Sequence, residues 1–240
     1  MEIIGHRGYP HSYPENTLLS FKKAIECGAD GVEMDVHLAK DGRPVIFHDF
    51  NLKRLTNIDD LIYNVPSDSL RKIKVNGTEE TIPLFDDVIH TMNKSKIFLE
   101  LKTIDERGNF YYPSIEKIIA DKIKEYDLYN NLTVISFDPF VLERLRKYDD
   151  KIKIGLDFDK ESEKIFNRER LPEYAERISL DYFLPQWQLL TDDEFISNEI
   201  PKGSEIYCWT LNDVSKIEKL KIRVKGIITD RCCEIKKEGI

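Results

Sequence analysis

Along the chain, short apolar runs alternate with stretches whose apolar residues recur every three or four positions. EIIG, GVEMDV, IFLELK, LTVISF, KIGLDF, ISLDYFL, EIYCWTLN and GIITD are strand-length runs rich in β-branched and aromatic residues, and they predict β-strands. In ENTLLSFKKAIEC, Leu18, Phe21, Ala24 and Ile25 share one helical face, with Gly28 placed to end that helix. Helices are predicted again over IPLFDDVIHTMNK, 113–126, Pro139–Tyr148, 160–175, DDEFISNEI and VSKIEKLKI.

A ninth run, PVIFHD, breaks the strand–helix rhythm. Asp41-Gly42 separates it from GVEMDVHLAK, and Asp-Gly between two extended runs signals a hairpin. So short a link cannot make the crossover that parallel neighbours need. PVIFHD is therefore an antiparallel excursion. Eight strands remain, each followed by a helix or a closing segment, which is the pattern of an α/β TIM (β/α)8 barrel. Positions 50–81 are rich in Asn, Asp and Ser and too long for an ordinary connection. They predict a small insertion after the second strand, within a single barrel domain spanning 1–240.

Composition changes this picture at few points. A net charge of -8 argues against a nucleic-acid backbone as partner. No apolar run approaches the roughly 18 residues of a membrane helix, so no stable membrane anchor is expected. The start, MEIIGHRG, lacks a basic n-region and cleavage site, which points to the cytoplasm. Cys27, Cys208, Cys232 and Cys233 show no CxxC spacing and read as reduced thiols in that compartment.

Polar residues collect where the apolar strands end, the place where barrels of this type hold their chemistry. Glu33 and Asp35, two apart on one strand, share a face, and so do Glu100 and Lys102. The hairpin returns His48 and Asp49 towards the two acids, while His6 and Arg7 follow the first strand. Ser136, Asp157, Asn212 and Asp230 also sit at strand ends. Glu33, Asp35 and Glu100 converging on one mouth need a cation, since two unit charges about 4 Å apart repel by roughly 4 kcal/mol at an effective dielectric near 20. Oxygen ligands alone favour one divalent ion, Mg²⁺, Ca²⁺ or Mn²⁺, over zinc. His6 and His48 beside such an ion suit general acid/base work. Arg7 and Lys102, each next to one of these groups, are placed for phosphate contact. Phe137 and Trp209 are candidates for the pocket wall. Asp49 reads as a turn residue, Asn16 as a helix-start residue and His37 as solvated.

The motifs HRG (6–8), PENT (14–17), GAD (28–30), E.DV (33–36), DG.PV..HD (41–49), E.K (100–102), SF (136–137), WT.N (209–212) and G..TD (226–230) occur in this order. Together they resemble the glycerophosphodiester phosphodiesterase family, over almost the whole chain. The resemblance implies a TIM barrel of the phospholipase C-like phosphodiesterase type with an insertion after the HD motif. It also implies His6 and His48 as the acid/base pair, Glu33, Asp35 and Glu100 as metal ligands, and Arg7 and Lys102 as phosphate contacts. The implied reaction is hydrolysis of a glycerophosphodiester to sn-glycerol 3-phosphate and an alcohol through a cyclic phosphate, within lipid and glycerol metabolism. After HD the chain reads NLKRLTNIDDLIYN, departing from the family's usual threonine pair, so no headgroup preference is implied. Two rival readings are a lysophospholipase D-like enzyme, with Phe50, Leu52, Leu61, Ile62 and Tyr63 as an apolar entrance, and a pseudoenzyme that binds phosphodiesters without cleaving them. The histidine pair speaks against the second, because a binder has no use for an acid and a base.

Overall fold

The computed structural model describes residues 1–92, 94–105, 109, 111–112, 114–162 and 170–239. Its strands are β1 (Glu2–Gly5), β2 (Gly31–Leu38), β3 (Pro44–Ile46), β4 (Lys96–Leu101), β5 (Leu132–Ser136), β6 (Lys153–Phe158), β7 (Tyr182–Pro185), β8 (Glu205–Cys208) and β9 (Gly226–Thr229). Eight of them pair in parallel in the order β1, β2, β4, β5, β6, β7, β8, β9, and β9 returns to β1 with Ile4 opposite Ile228. The sheet is a closed TIM barrel, as the strand count predicted. β3 lies outside it, antiparallel to the far end of β2, with Val36 opposite Ile46 and Leu38 opposite Pro44. Gly42 turns the hairpin at a φ of 77°, a left-handed conformation that costs glycine no Cβ clash.

Alternation along the staves decides what lies inside. Ile4, Phe98, Ile135, Tyr182, Leu184, Tyr207 and Ile228 fill the barrel interior. Across the N-terminal mouth, Lys96 pairs with Glu2, which also accepts a hydrogen bond of 2.6 Å from Tyr207 Oη. With apolar layers in the middle and this plug below, the next inward positions along each stave open at the C-terminal end. The helix Leu18–Glu26 covers β1 and β2 with Phe21 and Ala24 fully buried. Burying a side chain of Phe size contributes about 2–3 kcal/mol. Thr17 caps the helix start by accepting from Ser20 N at 3.2 Å. Gly28 ends it at φ 92°, donating to Ile25 O while Ala29 donates to Ala24 O, the paired bonds of a glycine-terminated helix.

Boundaries shift where local geometry overrides periodicity. ISLDYFL begins as helix: Leu171–Ile178 is helical, Ser179 turns left-handed, and Leu180 N returns to Ala175 O before β7 starts. Its first apolar residues cap a helix instead of extending the strand. The rest of the helix expected over 160–175 falls partly on 163–169, outside the described residues. The helix expected over 113–126 spans Ile115–Glu125, and Pro113 lies outside the described residues.

The insertion holds two short α-helices, Lys53–Thr56 and Ser67–Leu70, with a 3-10 turn at Ile62–Asn64 between them. It has its own core, in which Leu52, Leu55, Ile62, Leu70 and Val75 pack against Val45 and Phe47 of the hairpin. Leu52 and Ile62 are 0% exposed, so two of the residues proposed for a lipid entrance instead hold the insertion together. Phe50 and Tyr63 are partly exposed and lie against Tyr111, with ring centroids 4.5 and 5.5 Å away. The cysteines correct another expectation. Cys27 and Cys233 form a disulfide joining the end of the Leu18–Glu26 helix to the C-terminal helix Cys232–Lys237, whereas Cys208 and Cys232 are free and buried. Partners 206 residues apart in sequence meet because the closed barrel sets β1 beside β9, a proximity that spacing motifs do not encode. Among the described residues, no helix is long and apolar enough to cross a membrane.

Candidate active site

The turn after β1 begins the site. Arg7 has a φ of 52° and Gly8 one of 91°. A left-handed arginine is strained by about 1–3 kcal/mol, and its backbone is held by several bonds at once. Arg7 N donates to Glu33 Oε2 at 2.9 Å, and Arg7 O accepts from Asn16 N and from Ser20 Oγ. A Cβ on Gly8 would lie 2.4 Å from Ser20 Oγ, so only glycine lets the turn sit this close to the helix.

β2 then points Glu33 and Asp35 inward, and β4 adds Glu100, its Asp35↔Glu100 register placing the last two acids side by side. One carboxylate oxygen from each of the three lies within 4.8 Å of the others. At that spacing each pair repels by about 3.5 kcal/mol at an effective dielectric of 20. Burial, and then the charges of Asp35 and Glu100, push the Glu33 carboxyl well above its ordinary value. Glu100 is likewise raised, first by burial. Burial acts on Asp35 too, but Lys102, His48 and Arg7 outweigh it and hold that carboxyl well below the usual range. Lys102 Nζ lies 2.8 Å from Glu100 and 3.4 Å from Asp35, and Arg7 Nε lies 3.3 Å from Asp35. Asp35 Oδ1 is buried and, among the described residues, has no hydrogen-bond partner, while Oδ2 accepts from Asn16 Nδ2 at 2.7 Å. Two buried carboxylates and a half-buried third, one with an oxygen that no described group hydrogen-bonds, fit a hard divalent cation.

The two histidines are oriented in the same way. His6 Nδ1 donates to Asp230 Oδ1 at 2.7 Å, and Asn212 Nδ2 fixes the other Asp230 oxygen at 2.7 Å. His48 Nδ1 donates to Asp49 Oδ1 at 2.6 Å, and Arg54 grips both oxygens of Asp49. Each imidazole keeps Nε2 for the cleft, and that of His6 lies 3.9 Å from Glu33 Oε2. Burial lowers the His6 pKa, with Asp230 opposing it. Arg54 also binds Glu15, which accepts from Arg7 Nη1 at 2.9 Å, so an ion-pair chain ties the His48 loop back to the first turn.

Eight of the nine residues singled out from the sequence line one cleft: His6, Arg7, Glu33, His48, Glu100, Lys102, Phe137 and Trp209. The ninth, Asp35, lies beneath it at 1% exposure. Phe137 and Trp209 meet edge to face with centroids 5.4 Å apart, and the indole N–H is spent on Leu184 O.

Several neighbours stand differently from what their sequence context suggests. His37 is buried, not solvated: its Nε2 donates to the His48 carbonyl, its Nδ1 accepts from Tyr112 Oη, and burial lowers its pKa to about 3. Its inward phase, shared with Glu33 and Asp35, was the available signal. Asn16 binds Asp35, and Thr17 takes the capping position assigned to it. Asp49 binds His48. Asp157 also lines the cleft, 3% exposed, with burial and then Glu100 pushing its carboxyl well above the ordinary range.

Comparison with known proteins gives one answer. The model of the glycerophosphoryl diester phosphodiesterase family matches residues 6–234. A glycerophosphodiester phosphodiesterase of Caldanaerobacter subterraneus is 28% identical over 95% of this chain and 93% of its own length. The crystal structure of the Thermotoga maritima enzyme of that name, 29% identical, superposes with a TM-score of 0.78 over 98% of this chain and 97% of its own. An Oleispira antarctica phosphodiesterase, solved with its product sn-glycerol-3-phosphate, is 26% identical with a TM-score of 0.76, covering 99% of this chain and 96% of that one.

Proposed function

Since the chain belongs to the glycerophosphoryl diester phosphodiesterase family, we propose that it hydrolyses glycerophosphodiesters to sn-glycerol 3-phosphate and an alcohol. The observation that carries this reading is the pairing of the acidic trio with two imidazoles, each anchored through Nδ1 by a carboxylate. Glu33, Asp35 and Glu100 would hold one divalent cation, Mg²⁺, Ca²⁺ or Mn²⁺, to neutralise charge on the phosphoryl oxygens and ease ionisation of the attacking hydroxyl. Arg7 and Lys102 bind the phosphate and Phe137 and Trp209 pack against the substrate, within a single domain of barrel and insertion.

His6, kept unprotonated at neutral pH by burial, takes the proton of the glycerol 2-hydroxyl as its oxygen attacks phosphorus. His48 gives a proton to the departing alcohol oxygen, leaving a cyclic phosphate. The roles then reverse: His48 takes a proton from water, the water oxygen attacks phosphorus, and His6 protonates the 2-oxygen as the ring opens. Proton transfers of this kind contribute about 10²–10⁴-fold each. Asp230 and Asp49 each hold an Nδ1–H, so that Nε2 is the atom that takes or gives the proton.

Turnover of glycerophosphoethanolamine with a divalent salt, assayed for sn-glycerol 3-phosphate and for phosphoethanolamine, tests the reading. Release of sn-glycerol 3-phosphate, lost with chelator and restored by the ion, is expected. Release of phosphoethanolamine, or a rate indifferent to chelator, contradicts it.

A further inference from the structure

Asp157 has no place in the chemistry described above, yet it lines the same cleft as His6, Glu33, His48 and Glu100. It occupies an inward position near the C-terminal end of β6. Two residues earlier, a Cβ at Gly155 would run into Leu184, Ile135 and Tyr182, three side chains of the barrel interior, and alternation sends Asp157 to the same face one layer higher. Its Oδ2 is buried and, among the described residues, has no hydrogen-bond partner. A buried acceptor without a donor is costly, and such groups mark places where a partner is to be supplied.

The partner is constrained by what surrounds it. Asp157 is not among the acids whose oxygens cluster within 4.8 Å, so it is not a further member of the trio. A phosphodiester offers acceptors only, so an ionised Asp157 gains no hydrogen bond from it. No described side chain of the cleft donates to Oδ2: Lys102 Nζ is taken by Glu100 and Asp35, Ile135, Phe137 and Ile228 are apolar, and the Trp209 N–H is already bonded to Leu184 O. What remains is a donor on the part of the substrate that enters deepest. The leaving alcohol has to escape to solvent, whereas the glycerol unit stays with the phosphate.

We propose that Asp157 accepts a hydrogen bond from the terminal hydroxyl of the glycerol unit and thereby selects glycerol-bearing phosphodiesters over those lacking that hydroxyl. The inference rests on the phosphodiesterase reading. Phe137, Trp209, Ile135 and Ile228 pack against the carbon face of the polyol, and Asp157 reads its far end. A site built to bond a hydroxyl discriminates steeply against the analogue without one, since its own polar group is then left unpaired.

The test compares glycerophosphoethanolamine with the ethanolamine phosphodiester of 1,2-propanediol, which keeps the hydroxyl next to the phosphate-bearing carbon and lacks only the terminal one. Wild type is expected to prefer the first by about 100-fold in kcat/KM. Asp157→Leu brings the two within about threefold, by losing rate on the glycerol substrate alone. Asp157→Asn, whose amide oxygen still accepts, keeps most of the preference and shows that the pocket is intact. Equal losses on both substrates in Asp157→Leu, or a wild type that does not distinguish them, overturn the proposal. Replacing ethanolamine by choline separates the two ends of the substrate: a choline-to-ethanolamine ratio that changes in Asp157→Leu would show that the headgroup is what it reads, and would equally overturn it. Calorimetric binding of sn-glycerol 3-phosphate against 1,2-propanediol 1-phosphate gives the same comparison without turnover. If wild type cleaves neither diester, the proposed function fails, and the binding preference and its loss in Asp157→Leu still decide the role of this residue.

Discussion

His37 should make the fold acid-sensitive in a way that a single substitution removes. The imidazole is 0% exposed and held by the His48 carbonyl and Tyr112 Oη, and burial lowers its pKa to about 3 from an ordinary 6.5. With the folded value below the unfolded one, the unfolded chain takes up the proton first. Stability present above pH 6.5 is therefore lost as pH falls, at about 1.4 kcal/mol per unit. At pH 5.0, well above the folded value, the loss depends on the unfolded value alone and amounts to about 2 kcal/mol, against under about 0.1 kcal/mol at pH 7.5. His37→Gln keeps a donor for the His48 carbonyl and an acceptor for Tyr112 without titrating. Urea unfolding with chelator present, at pH 7.5 and 5.0, should show wild type losing about 2 kcal/mol more than the variant. His6, whose pKa is also lowered, and the raised Glu33 and Asp157 occur in both proteins and cancel in the difference. Parallel losses would mean that His37 protonates freely in the folded protein, which a buried neutral ring cannot do.

Three further outcomes are expected. His48→Ala should lower kcat/KM by at least about 10²-fold while calorimetry finds its divalent-ion affinity within about threefold of wild type; unchanged turnover removes His48 from the mechanism. Glu33→Gln combined with Asp35→Asn should abolish ion binding and turnover together, and an ion titration like that of wild type would place the cation elsewhere. Alkylation of the denatured, unreduced protein should label Cys208 and Cys232 alone, and reduction should lower stability by up to about 5 kcal/mol for a closed loop of this length; labelling of all four cysteines contradicts the Cys27–Cys233 bond.

The sequence made the barrel legible because the hairpin could be recognised. Asp41-Gly42 removed PVIFHD from the stave count, and the antiparallel β2–β3 register is what that removal required. The inward faces of β2 and β4 were legible for the same reason of alternation, so Glu33, Asp35, Glu100 and Lys102 were found from spacing. What stayed hidden depends on contacts between distant segments. Asp230 meets His6 across 224 positions, and Cys27 meets Cys233 across 206, through the closure of β9 on β1. Asp49 was misread from its neighbourhood alone: an aspartate after histidine reads as a turn former until Arg54 and the adjacent imidazole are seen to hold it. His37 has the inward phase, yet its hairpin position suggests solvent; the aromatic side chains of Phe50 and Tyr112 close over it instead.

The central proposal concerns where one cation and one phosphorus atom sit. A crystal soaked with sn-glycerol 3-phosphate and a divalent salt measures both. We expect the ion bonded to oxygens of Glu33, Asp35 and Glu100, with phosphorus beside it between the Nε2 atoms of His6 and His48. An ion bound elsewhere, or a phosphate beyond reach of either imidazole, contradicts the mechanism.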